Sequence, residues 1–82
     1  MGKASREKPK RLPRKLLLIR KRLGISQSEM AKALKLKAAY TAVSGYELGT
    51  REPSLIVVLR YARLAGISTD VLLDDKLNLP DG

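Results

Sequence analysis

The tetrapeptide Ser26-Gln27-Ser28-Glu29 constrains this chain more than any other stretch. It has the form of a capping box, in which the Ser26 hydroxyl accepts from the amide of Glu29 and the Glu29 carboxylate accepts from the amide of Ser26. Amides that a helix start would leave without partners are satisfied in this way. Ile25 before the cap and Met30 four residues after it have the spacing of a hydrophobic staple. A helix is therefore expected from this point, with Met30, Ala31 and Leu34 turned to one inner face.

Similar punctuation recurs on both sides. A first helix is expected from near Pro13, a residue suited to a first turn, to about Leu23, closed by Gly24. Leu16, Ile19, Arg20 and Leu23 share one of its faces at spacings of three and four. A third helix is marked by Val43, Tyr46 and Glu47, begins between Lys37 and Tyr40, and ends at Gly49. Gly45 sits inside it at a cost of about 1 kcal/mol relative to alanine. Pro53-Ser54 opens a fourth helix, with Leu55, Val58, Leu59, Ala62 and Ala65 on the inner period, Arg60 and Arg63 pointing outward, and Gly66 at its end. Ser68 caps a short fifth helix, with Asp70 well placed against the helix dipole and Leu72 inward. No stretch alternates apolar and polar residues as a half-buried strand would. Five short helices with brief connections predict an all-α fold, a compact five-helix bundle.

At 82 residues the chain is one domain at most. It has neither Cys nor His, which excludes disulfides, zinc sites of the Cys/His kind, and catalysis by a histidine base or cysteine nucleophile. Its carboxylates are scattered and it has no Gly-rich phosphate loop, so an enzyme is not expected, nor any cofactor or metal. The longest clean apolar run near the front, Leu16-Leu17-Leu18-Ile19, is far too short to cross a bilayer. A soluble, cytoplasmic protein with no membrane partner is expected.

The net charge is +9, from 17 Lys and Arg against 8 Asp and Glu. The basic residues crowd the front: Lys3, Arg6, Lys8, Lys10, Arg11, Arg14, Lys15, Arg20, Lys21 and Arg22 stand against Glu7 alone within residues 1–22. The end is acidic, with Asp70, Asp74, Asp75 and Asp81 against Lys76. A strong positive field attracts polyanions, of which nucleic acid is the commonest in a cell. Charge by itself fits a solvated basic surface equally well. The organisation expected is a flexible basic arm over 1–12, a helical domain over 13–75 and a tail over 76–82.

Two short helices joined by a turn, near 27–34 and 40–48, form a helix-turn-helix, whose second helix enters the major groove while the first crosses the phosphate backbone. Here the sequence resembles the Cro/C1-type, or XRE-like, helix-turn-helix transcriptional regulators. The residues that carry the resemblance are Ile19-Arg20, Gly24-Ile25-Ser26-Gln27, Glu29-Met30-Ala31, Val43-Ser44, Glu47 with Gly49, Pro53-Ser54 and Gly66-Ile67-Ser68. The likeness spans about residues 14–74. It implies a lambda-repressor-like DNA-binding domain. It also implies that Arg20 and Glu47 pair inside the domain, where an unpaired charge would be costly. The alternative is two exposed, unrelated charges.

The stretch between Leu34 and Val43 is about two residues longer than the family pattern, and Lys35 stands where a glycine is often found. Aligned backward from Glu47, the base-facing positions implied by the resemblance are Tyr40, Thr41, Ser44 and Gly45, and Ala42 is counted with them among the DNA-binding residues. Thr41 and Ser44 have hydroxyls for bases or phosphates, and the Thr41 methyl suits a thymine methyl. Tyr40 suits phosphate or sugar, or else anchors the long turn in the core. Gly45 allows either close approach to DNA or tight packing. No Arg, Asn or Gln stands on this helix, so direct readout by it should be modest. Gln27 resembles the family residue that starts the second helix and touches phosphate, although with Ser26 it also serves as a cap. Lys35 and Lys37 before the recognition helix, and Thr50 and Arg51 after it, would supply phosphate contacts. The arm either follows DNA or stays solvated.

The function expected is sequence-specific binding of double-stranded DNA as a transcriptional regulator, specifically a repressor. A homodimer is expected, through the fourth and fifth helices or the tail. The rival is an antitoxin or adaptor that mainly binds a protein partner such as a toxin, with Leu72, Leu73, Leu77 and Leu79 as its apolar contact.

Overall fold

A computed structural model describes residues 8–37 and 40–80. These residues form five helices and no strand: α1 (Leu12–Leu23), α2 (Gln27–Ala33), α3 (Thr41–Leu48), α4 (Leu55–Ala65) and α5 (Thr69–Leu73). The all-α bundle is as the sequence predicts, and the stop signals act as expected. Gly24, Gly49 and Gly66 each follow a helix in the left-handed conformation, at φ of 69°, 80° and 69°.

The capping box at α2 is complete: the Glu29 amide donates to Ser26 Oγ at 3.0 Å and the Ser26 amide to Glu29 Oε1 at 2.8 Å. The bond from the Ser26 amide holds the Glu29 carboxyl below its ordinary value. Ser54 caps α4 by a single bond, its side chain accepting from the Val57 amide at 3.3 Å.

The core joins Leu16 and Ile19 of α1, Met30 and Leu34 at α2, Val43 and Tyr46 of α3, Val58 and Tyr61 of α4, and Leu72 of α5. Met30, Ala31 and Leu34 face inward as expected. Several other side chains depart from the expected pattern. Leu55 is exposed, and α4 turns Val57, Val58, Tyr61 and Ala62 inward instead. Leu23 is largely exposed, and α1 buries Leu12 and Lys15 in addition to Leu16 and Ile19. Leu72 is fully buried, so it belongs to the core and not to a partner surface.

Two basic residues read as surface charges have structural work. Lys15 is only 3% exposed. Its Nζ donates to the carbonyls of Val71 at 2.8 Å and Asp74 at 3.0 Å, satisfying orphan acceptors at the end of α5. Burial, followed by the like charge of Arg11, lowers its pKa from the usual lysine value. Arg60 does not point outward: its Nη1 donates to the Leu34 carbonyl at 2.9 Å and so ties α4 to the end of α2.

The chain after α5 runs beside α1. The Lys10 and Arg11 amides each donate to the Asp75 carboxylate at 3.0 Å, and Arg11 Nη1 donates to the Asp75 carbonyl at 2.6 Å. Arg11 also donates to the Asn78 side chain, and Arg22 to the Pro80 carbonyl at the opposite end of α1. Of the arm expected over 1–12, residues 1–7 lie outside the described residues, Lys10 and Arg11 are bonded to this C-terminal stretch, and Leu12 already opens α1.

Candidate nucleic-acid interface

Glu47 is the junction of the first three helices. Arg20 Nε donates to its Oε2 at 2.6 Å and Arg20 Nη2 to its Oε1 at 3.1 Å. Gln27 Nε2 donates to the same Oε1 at 3.1 Å, and Arg20 Nη1 reaches the Ile25 carbonyl at 3.0 Å. The Arg20 and Glu47 side chains are 16% and 5% exposed, so the pair is largely withdrawn from water. The hydrogen bond to Glu47 raises the Arg20 pKa further above its ordinary value. The implied pairing is therefore present. Gln27 is its third member, with its amide nitrogen turned inward to Glu47.

This anchor fixes which way α3 faces. Ala42, Val43 and Tyr46 are buried, while Thr41 and Leu48 are exposed and Ser44 and Gly45 half-exposed. At 100° per residue, Thr41, Ser44, Gly45 and Leu48 form one continuous outer stripe. Ala42, expected among the DNA-binding residues, is 3% exposed and points into the core, on the buried side of that stripe. Tyr40, just ahead of α3, is 51% exposed and does not anchor the core. Leu48 was not among the expected site residues, yet it is 73% exposed on the outer stripe. Its spacing from Ser44 and Thr41, four and seven residues, was the available signal.

The turn leading to α3 explains the missing glycine. Lys35 has φ of 58°, in the left-handed region where a glycine is relaxed and a lysine is strained. Lys35 and Lys37 are both exposed there. Residues 38 and 39 lie outside the described residues.

At the other end of α3, the chain folds back. The amides of Gly49, Thr50 and Arg51 all donate to the Gly45 carbonyl, the latter two at 3.0 and 3.2 Å. A Cβ on Gly45 would lie 2.8 Å from Arg51 Cβ, 3.5 Å from Thr50 Oγ1 and 3.6 Å from Arg51 Cδ. Gly45 is thus tightly packed against Arg51. The segment entering α1 also arrives here, since Lys8 and Pro9 share a small cleft with Gly49, Thr50, Arg51 and Glu52.

The described residues thus present an outer stripe of hydroxyl and apolar groups. Exposed lysines precede it and an exposed arginine follows it. They contain no group of three or more acidic residues able to hold a metal ion, and no helix long and apolar enough to cross a membrane.

A family profile described as helix-turn-helix matches residues 16–72. No curated protein matches the chain significantly. Among solved structures, the P22 c2 repressor in complex with a synthetic operator is similar, with 25% identity, a TM-score of 0.69, and 78% of this chain and 94% of that one covered. The restriction-modification controller protein C.AhdI from Aeromonas hydrophila is similar at 28% identity and a TM-score of 0.65, with 77% of this chain and 88% of that one covered. A hypothetical transcription factor, NHTF, from Neisseria gives 26% identity and a TM-score of 0.65 over 87% of this chain and 86% of its own.

Proposed function

This chain belongs to the helix-turn-helix family, of the Cro/C1 type, and we propose that it is a transcriptional repressor that binds double-stranded DNA in a sequence-specific manner. The observation that carries this reading is the bare outer stripe of α3, with Thr41 exposed and Ser44 half-exposed, while Glu47 holds the inner side of the same helix against α1. A helix presented in this way fits a major groove about 12 Å wide.

In this reading Thr41, Ser44 and Leu48 meet base edges and thymine methyl groups. Tyr40, Lys35, Lys37 and Thr50 contact phosphate and sugar, which set register and orientation. Gln27 acts through Glu47, fixing how the start of α2 meets the backbone. Arg51 completes the surface at the end of α3. The chain acts as a homodimer, with two recognition helices about 34 Å apart on a near-palindromic site. Leu55, Ile56 and Leu64 of the fourth helix, Leu73 of the fifth and Leu77 of the tail are exposed apolar residues that suit such a contact. No observation favours a toxin or other protein as the main partner.

The test is selection of bound sequences from random duplex DNA across a salt series, with sedimentation of the bound species. Enrichment of one near-palindromic motif, bound by two copies, is the expected result. Binding that enriches no motif and vanishes with salt overturns it.

A further inference from the structure

The outer stripe of α3 has no side chain able to make two hydrogen bonds to one base, since Thr41 and Ser44 are single hydroxyls, Leu48 is apolar and Gly45 is bare. Gly45 costs the helix about 1 kcal/mol relative to alanine, and the space it leaves is filled. Arg51 Cβ and Cδ lie over its Cα, within 2.8 and 3.6 Å of where a Cβ would stand. The Schellman-like bonds from the Thr50 and Arg51 amides to the Gly45 carbonyl fix this return of the chain. Arg51 is exposed, and its guanidinium has no hydrogen bond or ion pair among the described residues.

We propose that Arg51, seated on α3 through the gap at Gly45, is the principal base-reading residue of this chain and recognises a guanine in the major groove. The inference rests on the proposed DNA binding and adds to it. A planar guanidinium pairs bidentately with guanine O6 and N7, which neither hydroxyl of the stripe can do. The arginine is thus borrowed from the turn after the helix. Its stem lies against α3 at Gly45, beside Thr41, Ser44 and Leu48 of the outer stripe. Gly45 is a positioning residue, because a methyl group there would sit 2.8 Å from Arg51 Cβ, close to the backbone where the side chain cannot swing aside.

The experiment compares the wild type with Arg51→Ala and Gly45→Ala, after circular dichroism has verified folding. Affinities are measured on the selected duplex and on single-base-pair variants of it. In the wild type, one half-site guanine should carry roughly 5- to 150-fold discrimination. Arg51→Ala should abolish preference at that position and leave the others intact. Gly45→Ala should erase the same preference with Arg51 still present. Uniform weakening of every duplex by Arg51→Ala, with the log–log salt slope smaller by about 0.9, would make Arg51 a phosphate contact and overturn the proposal. So would retention of the guanine preference in Gly45→Ala. A wild type that selects no sequence would instead overturn the DNA-binding reading itself.

Discussion

Glu47 accepts two hydrogen bonds from the Arg20 guanidinium, at 2.6 and 3.1 Å, across 27 positions of chain. The pair joins the α1 face to the end of α3 and sets the rotation of that helix. Glu47→Ala would leave Arg20 with only the Ile25 carbonyl, and would also strip Gln27 of its acceptor. Removing one partner of a buried pair costs about 3–5 kcal/mol. Because Arg20 keeps some solvent contact, the expected loss is near the lower figure, read from urea unfolding. A cost below about 1 kcal/mol would mean that the pair contributes as little as an exposed one.

Tyr61 is fully buried, and its hydroxyl has no hydrogen-bond partner among the described residues. Tyr61→Phe should raise stability by about 1 kcal/mol, since it removes a desolvated polar group and keeps the ring. The pH dependence should change as well. Burial, then the Glu47 charge, raises the Tyr61 pKa well above its ordinary value of 10.0. Above pH ~10 the unfolded chain would release this proton while the native chain keeps it, so native stability falls as pH rises, by at most ~1.4 kcal/mol per unit. Thermal melts between pH 9 and 11 should be flatter for the phenylalanine variant by that contribution. Equal slopes would show that Tyr61 does not drive the alkaline loss.

Lys35→Gly should stabilise the domain by about 0.5–1 kcal/mol, the left-handed strain relieved less the added freedom of the unfolded chain. The same variant removes a cation from the candidate interface, so the salt slope of DNA binding should fall by about 0.9 if Lys35 touches phosphate. A raised melting temperature with an unchanged slope would keep the strain argument and remove Lys35 from the contact set.

Asp75 accepts from the amides of Lys10 and Arg11, and these bonds hold its carboxyl below the usual aspartate value. The contact it makes is therefore present above about pH 4 and is lost as pH falls through the lowered value. Asp75→Asn should speed hydrogen exchange at Lys10 and Arg11 at neutral pH, while the core amides of α1 stay protected. Unchanged exchange at those two amides would exclude this latch.

Local chemistry made the helices legible. The Ser26 and Glu29 box, the Ser54 cap and the three terminal glycines act within four or five residues, so the sequence by itself determined five helices and their approximate ends. The family likeness added the pairing of Arg20 with Glu47, whose partners are too far apart for any local rule. Periodicity within one helix did not reveal which neighbour it meets. For that reason Lys15 and Arg60 read as surface charges until packing brought them to the orphan carbonyls of Val71, Asp74 and Leu34. Ala42 likewise read as a DNA-binding residue until the rotation of α3 became known. Only the tertiary structure decided that rotation, the burial of Tyr61 and the seating of Arg51 on Gly45. Each depends on where a second segment lies in space, and no period or cap along the chain encodes that position.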